Sequence, residues 1–88
     1  MKWEINYSRD AENFLKKEDI RDDVRTDLIR FLRRMKGEKS NVDVKKLKGA
    51  WDGYYRLRKG EIRIIFDLDY ERRTLFVEKI DFRSKIYR

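Results

Sequence analysis

Neither cysteine nor histidine occurs in this sequence of 88 residues. Without cysteine there is no disulfide and no thiolate chemistry. Without histidine as well, any metal would have to be held by carboxylates alone, and no carboxylate spacing here resembles a calcium loop. No cofactor is therefore expected. No apolar run approaches the length of a membrane span, and the N-terminus starts at once with alternating residues where a signal peptide would carry an apolar core. A soluble cytoplasmic protein with no membrane partner is the expectation. Repeats, linkers and low-complexity segments are also missing, so residues 1–88 read as a single small domain.

What is present is charge and aromatic surface. Hydrophobic residues make up 40% of the chain, with five Phe, five Tyr and two Trp, enough to build a core. Charged residues make up 47%, with a net charge of +7. The charge is uneven. Residues 1–32 carry seven Lys/Arg against eight Asp/Glu, residues 33–50 seven against two, and residues 51–88 ten against seven. A basic middle and C-terminal half points to a polyanionic partner, of which nucleic acid is the commonest; an acidic protein fits the same charge.

Hydrophobic periodicity lays out the elements. Trp3, Ile5 and Tyr7 alternate with Lys2, Glu4 and Asn6, the pattern of a half-buried strand. Ser8 is a helix N-cap, followed by Asp10 and Glu12 where the helix dipole favours acids. Ala11, Phe14 and Leu15 form the stripe of a short helix to about residue 17. Asp19 reads as the cap of a second helix, with Ile20, Val24, Leu28, Phe31, Leu32 and Met35 at helical spacing up to Gly37. Residues 38–46 read as a loop. Residues 74–80 read as a strand with apolar residues of both parities, Leu75 and Val77 against Phe76 and Ile80, which predicts burial on both sides. The order β-α-α-β-β-β predicts an α+β fold: a two-helix antiparallel hairpin on one face of a largely antiparallel four-stranded sheet.

Residues 54–67 organise the rest. They read as a β-hairpin turning at Lys59-Gly60, since Gly60 tolerates the positive φ of a tight turn. That loop sets Arg56 opposite Arg63, on the face away from Tyr55, Leu57, Ile62, Ile64 and Phe66. Like charges directly opposite are destabilising. An anion bound between the arginines would explain them; splaying into water is the simpler account. Lys45, Lys46 and Lys48 crowd just before the hairpin, either as a solvated face or as phosphate-steering charge.

Three segments taken together, LKG (47–49), GYYRLRKGEIRIIFD (53–67) and LFVEKIDFRSKIYR (75–88), resemble the RelE/ParE superfamily of toxin–antitoxin toxins, closer to the RelE branch. The resemblance covers essentially the whole chain. It implies a toxin that cleaves mRNA in the ribosomal A site, with Arg56, Arg58, Arg63, Arg83 and Tyr87 as the catalytic set. Its partners would be the ribosome with its mRNA and rRNA, and a cognate antitoxin protein. Arg33, Arg34, Lys45, Lys46 and Lys48 would add contacts to the RNA backbone. The residue chemistry agrees with metal-free attack by the RNA 2′-hydroxyl: guanidinium groups neutralise the phosphorane. Arginine is a poor proton carrier, which leaves Tyr87 as the base candidate; the alternative is an aromatic packed over the sheet. The chain departs from the family at Phe82, where many relatives carry histidine, and at Asp81, where some carry a basic residue. The general acid is unassigned among Lys48, Lys85 and ribosomal groups. Two other readings stand beside this one: a ParE-like toxin that binds DNA gyrase without nuclease activity, and a basic RNA-binding module.

Overall fold

Strand β1 (Glu4–Tyr7) ends at Ser8, and Ser8 secures two elements at once. Its Oγ accepts the Ala11 N–H at 3.1 Å, capping helix α1 (Arg9–Glu18) as its sequence position predicts, and its hydroxyl donates to the Glu78 carbonyl at 2.7 Å. Helix α1 ends at Asp19, which takes the left-handed conformation (φ 54°) and returns its N–H to the Leu15 carbonyl. Asp19 therefore closes the first helix and does not cap the second. Helix α2 (Arg21–Met35) starts from Ile20 with no side-chain cap. With no residue to spare between the helices, the tight left-handed reversal takes priority over capping; Asp tolerates αL better than most side chains.

Arg21 forks onto Glu12 and ties the two helices together. This hydrogen bond holds the Glu12 carboxyl below its usual 4.5. Its contribution is complete above that pH and is lost as acid protonates Glu12. Glu12→Gln is expected to melt below the wild type at pH 7, with the gap closing as the pH falls below 4.5 and through the lowered Glu12 titration. A gap of constant size from pH 7 to pH 3 would remove this link between charge and stability.

The computed structural model describes residues 2–86. After α2 come β2 (Asp43–Lys46), a short 3-10 turn at Gly49–Trp51, β3 (Tyr55–Lys59), β4 (Ile62–Asp69) and β5 (Thr74–Phe82). The sheet order is β1-β5-β4-β3-β2, with β1 parallel to β5 and the other pairs antiparallel. The architecture is the expected α+β one, but with five strands. The extra strand is β2, inside the segment that reads as a loop. It escapes the periodicity because it is an edge strand: only Val44 packs against the core, and Asp43, Lys45 and Lys46 are exposed. Arg34 Nη1 donates to the Val42 carbonyl at 2.9 Å and Ser40 Oγ to the Arg30 carbonyl at 3.1 Å, holding the approach to β2 against α2.

Both helices lie on one face of the sheet. Ala11, Leu15, Val24, Leu28, Phe31 and Leu32 pack with Leu57, Ile64, Phe66, Leu75, Val77 and Ile80 in one buried cluster. Met35, expected on the same stripe, is the last helical residue and is 39% exposed. In β5 the mixed parity has a different cause from the one expected. The pairing with β4 steps from Phe66↔Val77 to Ile65↔Lys79, so Glu78 is an extra residue, a β-bulge. The extra residue shifts the phase of the strand. Leu75 and Val77 before it and Ile80 after it all reach the helix side; Phe76, half-buried, lies opposite.

The hairpin register also differs. Cross-strand partners are Lys59↔Ile62, Arg58↔Arg63, Leu57↔Ile64 and Arg56↔Ile65. The loop is Gly60-Glu61, not Lys59-Gly60, and Gly60 takes φ 58°. Positive φ at the first central residue alone is what a type II′ hairpin turn requires. Lys59 stays in the strand because its ammonium reaches Asp27 of α2 at 2.9 Å.

Candidate nucleic-acid interface

Cross-strand partners share a face, so the register assembles rows across the sheet on the side away from the helices. At the hairpin-turn end, Asp43, Arg58, Arg63 and Asp81 stand abreast on β2 to β5. Beneath them lie Lys45, Arg56, Ile65 and Lys79. Next come Asp67, Phe76 and Asn6, and finally Asp69, Thr74 and Glu4. The face is thus basic near the turn and acidic at the other end.

The slipped register changes the arginine argument. Arg58, not Arg56, faces Arg63; because the slip is two residues, Arg56 keeps the same face and becomes a diagonal neighbour. No external anion is needed to explain the pair. Arg63 is 8% exposed, and its Nη1 donates to the Gly60 carbonyl at 2.7 Å and the Ile62 carbonyl at 3.1 Å. Its guanidinium clamps the turn from below. Arg56 Nη2 lies 3.3 Å from Asp43 Oδ1, and Arg58 Nε lies 3.6 Å from Asp43 Oδ2. The counter-charge is built into the edge strand. Arg56 Nε is buried without a partner. Asp81, opposite Arg63, instead accepts the N–H of Phe82 at 2.8 Å.

The tail reaches this end of the face. The Arg83 N–H donates to the Glu61 carbonyl at 2.7 Å, and the Lys85 N–H to the Phe82 carbonyl at 2.9 Å. Arg83 is exposed beside the hairpin turn, and Ile86 is fully buried. Ile65 and Ile86 are both buried outside the helix-side cluster. At the acidic end, burial pushes the Tyr54 phenol up, and Glu78 and Asp67 push it further.

No family model matches the sequence, and no curated protein matches it. Solved structures do match in shape. The toxin–antitoxin complex RelBE2 from Mycobacterium tuberculosis superposes with a TM-score of 0.69 at 21% identity, covering 94% of this chain and 100% of the other. An archaeal RelE–RelB complex from Pyrococcus horikoshii gives 0.61 at 21% identity, over 97% and 99%. The fold is that of the RelE-type toxins. A metal-bound toxin from Helicobacter pylori gives 0.71 at 16% identity, over 98% and 100%. Among the described residues of this chain, no three His, Cys, Asp or Glu side chains converge as a metal site would need.

On this RelE-type sheet, the residues singled out from sequence divide into groups. Arg56, Arg58, Arg63 and Lys45 share the basic end of the open face, with Arg83 beside it. Tyr87 lies outside the described residues. Lys46 faces the helix side, opposite Tyr55, with its ammonium 6.0 Å from the Tyr55 ring centroid. Arg33 and Arg34 close α2, and Arg34 lies over the Phe31 ring, 5.8 Å from its centroid. Lys48 is exposed just before the 3-10 turn. Lys46, Arg33 and Arg34 do not join the arginines on the open face. Sequence reading missed Asp43, which needed the unseen strand β2, and Lys79, whose face depends on the Glu78 bulge.

Proposed function

We propose that this chain is the toxin of a toxin–antitoxin pair and a ribosome-dependent endoribonuclease that cuts mRNA in the A site. One observation carries the reading: on a RelE-type fold, two adjacent rows of the open face gather Arg56, Arg58, Arg63, Lys45 and Lys79, with Arg83 next to the hairpin turn. In the proposed reaction the 2′-hydroxyl oxygen attacks the adjacent phosphorus and its proton passes to a base. The bond to the 5′-oxygen breaks, and that oxygen takes a proton. A 2′,3′-cyclic phosphate and a free 5′-hydroxyl end result. Arg56, Arg58 and Arg83 surround the phosphorane with charge-assisted donors, and Arg63 adds its charge from a position fixed by the turn. Tyr87, which the family resemblance implies in this role, is the proposed base; a phenol brought among guanidinium groups would ionise more readily. The 5′-oxygen takes its proton from Lys48, Lys85 or a ribosomal group.

The net charge of +7 also suits an acidic antitoxin, whose association it would speed. The proposed setting is the cytoplasm, where ribosomes are; no helix among the described residues is long and apolar enough to cross a membrane. Induced expression followed by mapping of mRNA 5′ ends tests the activity. Ends at codon-spaced positions within translated messages support it. Intact messages with inhibited gyrase supercoiling would replace it with the ParE-like reading.

The two adjacent lysines of β2 separate contact with RNA from packing. Lys45→Ala is expected to weaken binding to programmed ribosomes almost independently of sequence and to lower the salt slope by about one. Lys46→Ala, on the opposite face, is expected to change both much less. Equal effects in a filter-binding salt titration would show that the open face is not the contact surface.

A further inference from the structure

We propose that Asp43 is an internal competitor for the substrate phosphate. The inference rests on the nuclease reading for its substrate, and on the geometry of β2 and β3 for the site itself. The Asp43 carboxylate bridges two guanidinium groups, one oxygen to each: Oδ1 to Arg56 Nη2 at 3.3 Å and Oδ2 to Arg58 Nε at 3.6 Å. Two non-bridging oxygens of a phosphodiester present the same charge and the same pair of acceptors. Asp43 thus stands where a bound phosphate would stand.

The contact is built to be displaced. Both distances exceed the roughly 2.7–2.9 Å of a well-formed charge-assisted hydrogen bond. The carboxylate is 54% exposed and sits on an edge strand. Arg56 is buried far more deeply: its side chain is 18% exposed. Its Nη2 bond to Asp43 is its one side-chain partner among the described residues, with Nε left unpaired in the interior. A phosphate that replaced Asp43 would find one guanidinium largely shielded from water and a second, Arg58, exposed and free to close. In the free protein the carboxylate keeps like charges from opposing each other uncompensated. On binding it is pushed toward solvent, and each phosphate must outcompete it. Only a phosphate delivered in position, as on a decoding ribosome, has that advantage over RNA met at random.

The test compares Asp43→Asn with Glu71→Gln, which changes net charge equally in the exposed turn at the opposite end of the β4–β5 hairpin. The probe is a single-stranded RNA decamer made uncleavable by 2′-deoxy substitution. Its dissociation constant and salt slope are measured alongside single-turnover cleavage on programmed ribosomes. Asp43→Asn is expected to bind the probe about three- to tenfold more tightly, with the salt slope steeper by about one; Glu71→Gln is expected to stay within about twofold. Melting curves confirm that both variants are folded. Equal affinity for the two variants overturns the proposal. So does a loss of cleavage rate in Asp43→Asn at saturating protein without a gain in affinity, which would make Asp43 a positioning residue for the arginines. Tighter probe binding by Asp43→Asn with no cleavage by the wild type would sink the nuclease reading and leave the competitor standing.

Discussion

Arg56→Ala is expected to slow cleavage of A-site mRNA about a hundred- to a thousandfold, the usual cost of removing one preorganised donor from a developing charge. The fold should survive the change. The side chain's ion pair is with a half-exposed carboxylate, and such pairs contribute about 0–1 kcal/mol. Its Nε is unsatisfied in the folded protein, so truncation also removes a buried polar atom without a partner. Arg83→Ala should behave in the same way, since its side chain is exposed and its backbone contact to Glu61 survives truncation. Arg63→Ala should not. Its guanidinium is buried and holds two turn carbonyls, so cleavage and stability should fall together, the latter by about 2–4 kcal/mol. Tyr87→Phe keeps the ring and should slow the chemical step with ribosome binding nearly intact. Single-turnover cleavage with parallel binding and melting measurements separates these outcomes. If Arg56→Ala and Arg83→Ala cleave at the wild-type rate, the basic rows are not the site.

Phe66→Ala is expected to produce the largest loss of stability. Phe66 is fully buried at the centre of the sheet. It meets Phe31 of α2 edge-on at 5.2 Å and stacks on Tyr55 of β3 at 5.5 Å. Truncating such a ring removes its transfer free energy and leaves a cavity that two rigid aromatic neighbours cannot close, a cost of about 3–5 kcal/mol. For a domain of this size the midpoint should fall by roughly 15–30 °C. That cost takes most of the stability of a small domain near the lower end of the usual 5–15 kcal/mol. Met35→Ala, at an exposed helix end, should stay within about 0.5 kcal/mol. Thermal unfolding by circular dichroism distinguishes them; a loss below about 1 kcal/mol for Phe66→Ala would mean that the helices and sheet are not coupled through this ring.

Much of this was legible because it is local. Trp3, Ile5 and Tyr7 alternate, Ser8 caps its helix, and the two helical stripes meet the sheet as their spacing requires. The arginines of β3 and β4 shared a face in either register, because a slip of two residues preserves parity. What stayed hidden depends on partners distant in sequence. Gly60 permits a turn with Lys59 or with Glu61; the choice falls to Asp27, which draws Lys59 into the strand, and to Arg63, which grips the carbonyl of Gly60. Strand β2 has one apolar residue, too few for periodicity to register. The bulge at Glu78 returned Ile80 to the helix side against its parity with Val77 and so concealed Lys79. Asp19 shows the limit of reading caps singly: the same residue type ends one helix or begins the next, and only the αL backbone decides.

Strand β1 precedes the other described elements in the chain and is among the last that can be completed. Among the described residues its one neighbour in the sheet is β5, and the carbonyl that anchors Ser8 lies 70 residues further along the chain. Pairings of such long separation form slowly, because the closure entropy must be met before any contact rewards it. While the chain is still growing, Trp3, Ile5 and Tyr7 have no sheet to join, and β4 lacks the neighbour that later brings Lys79 and Arg83 beside its arginines. The basic face therefore does not exist on a growing chain. It assembles only once β5 and Arg83 have emerged, which separates the making of this face in time from anything it can do.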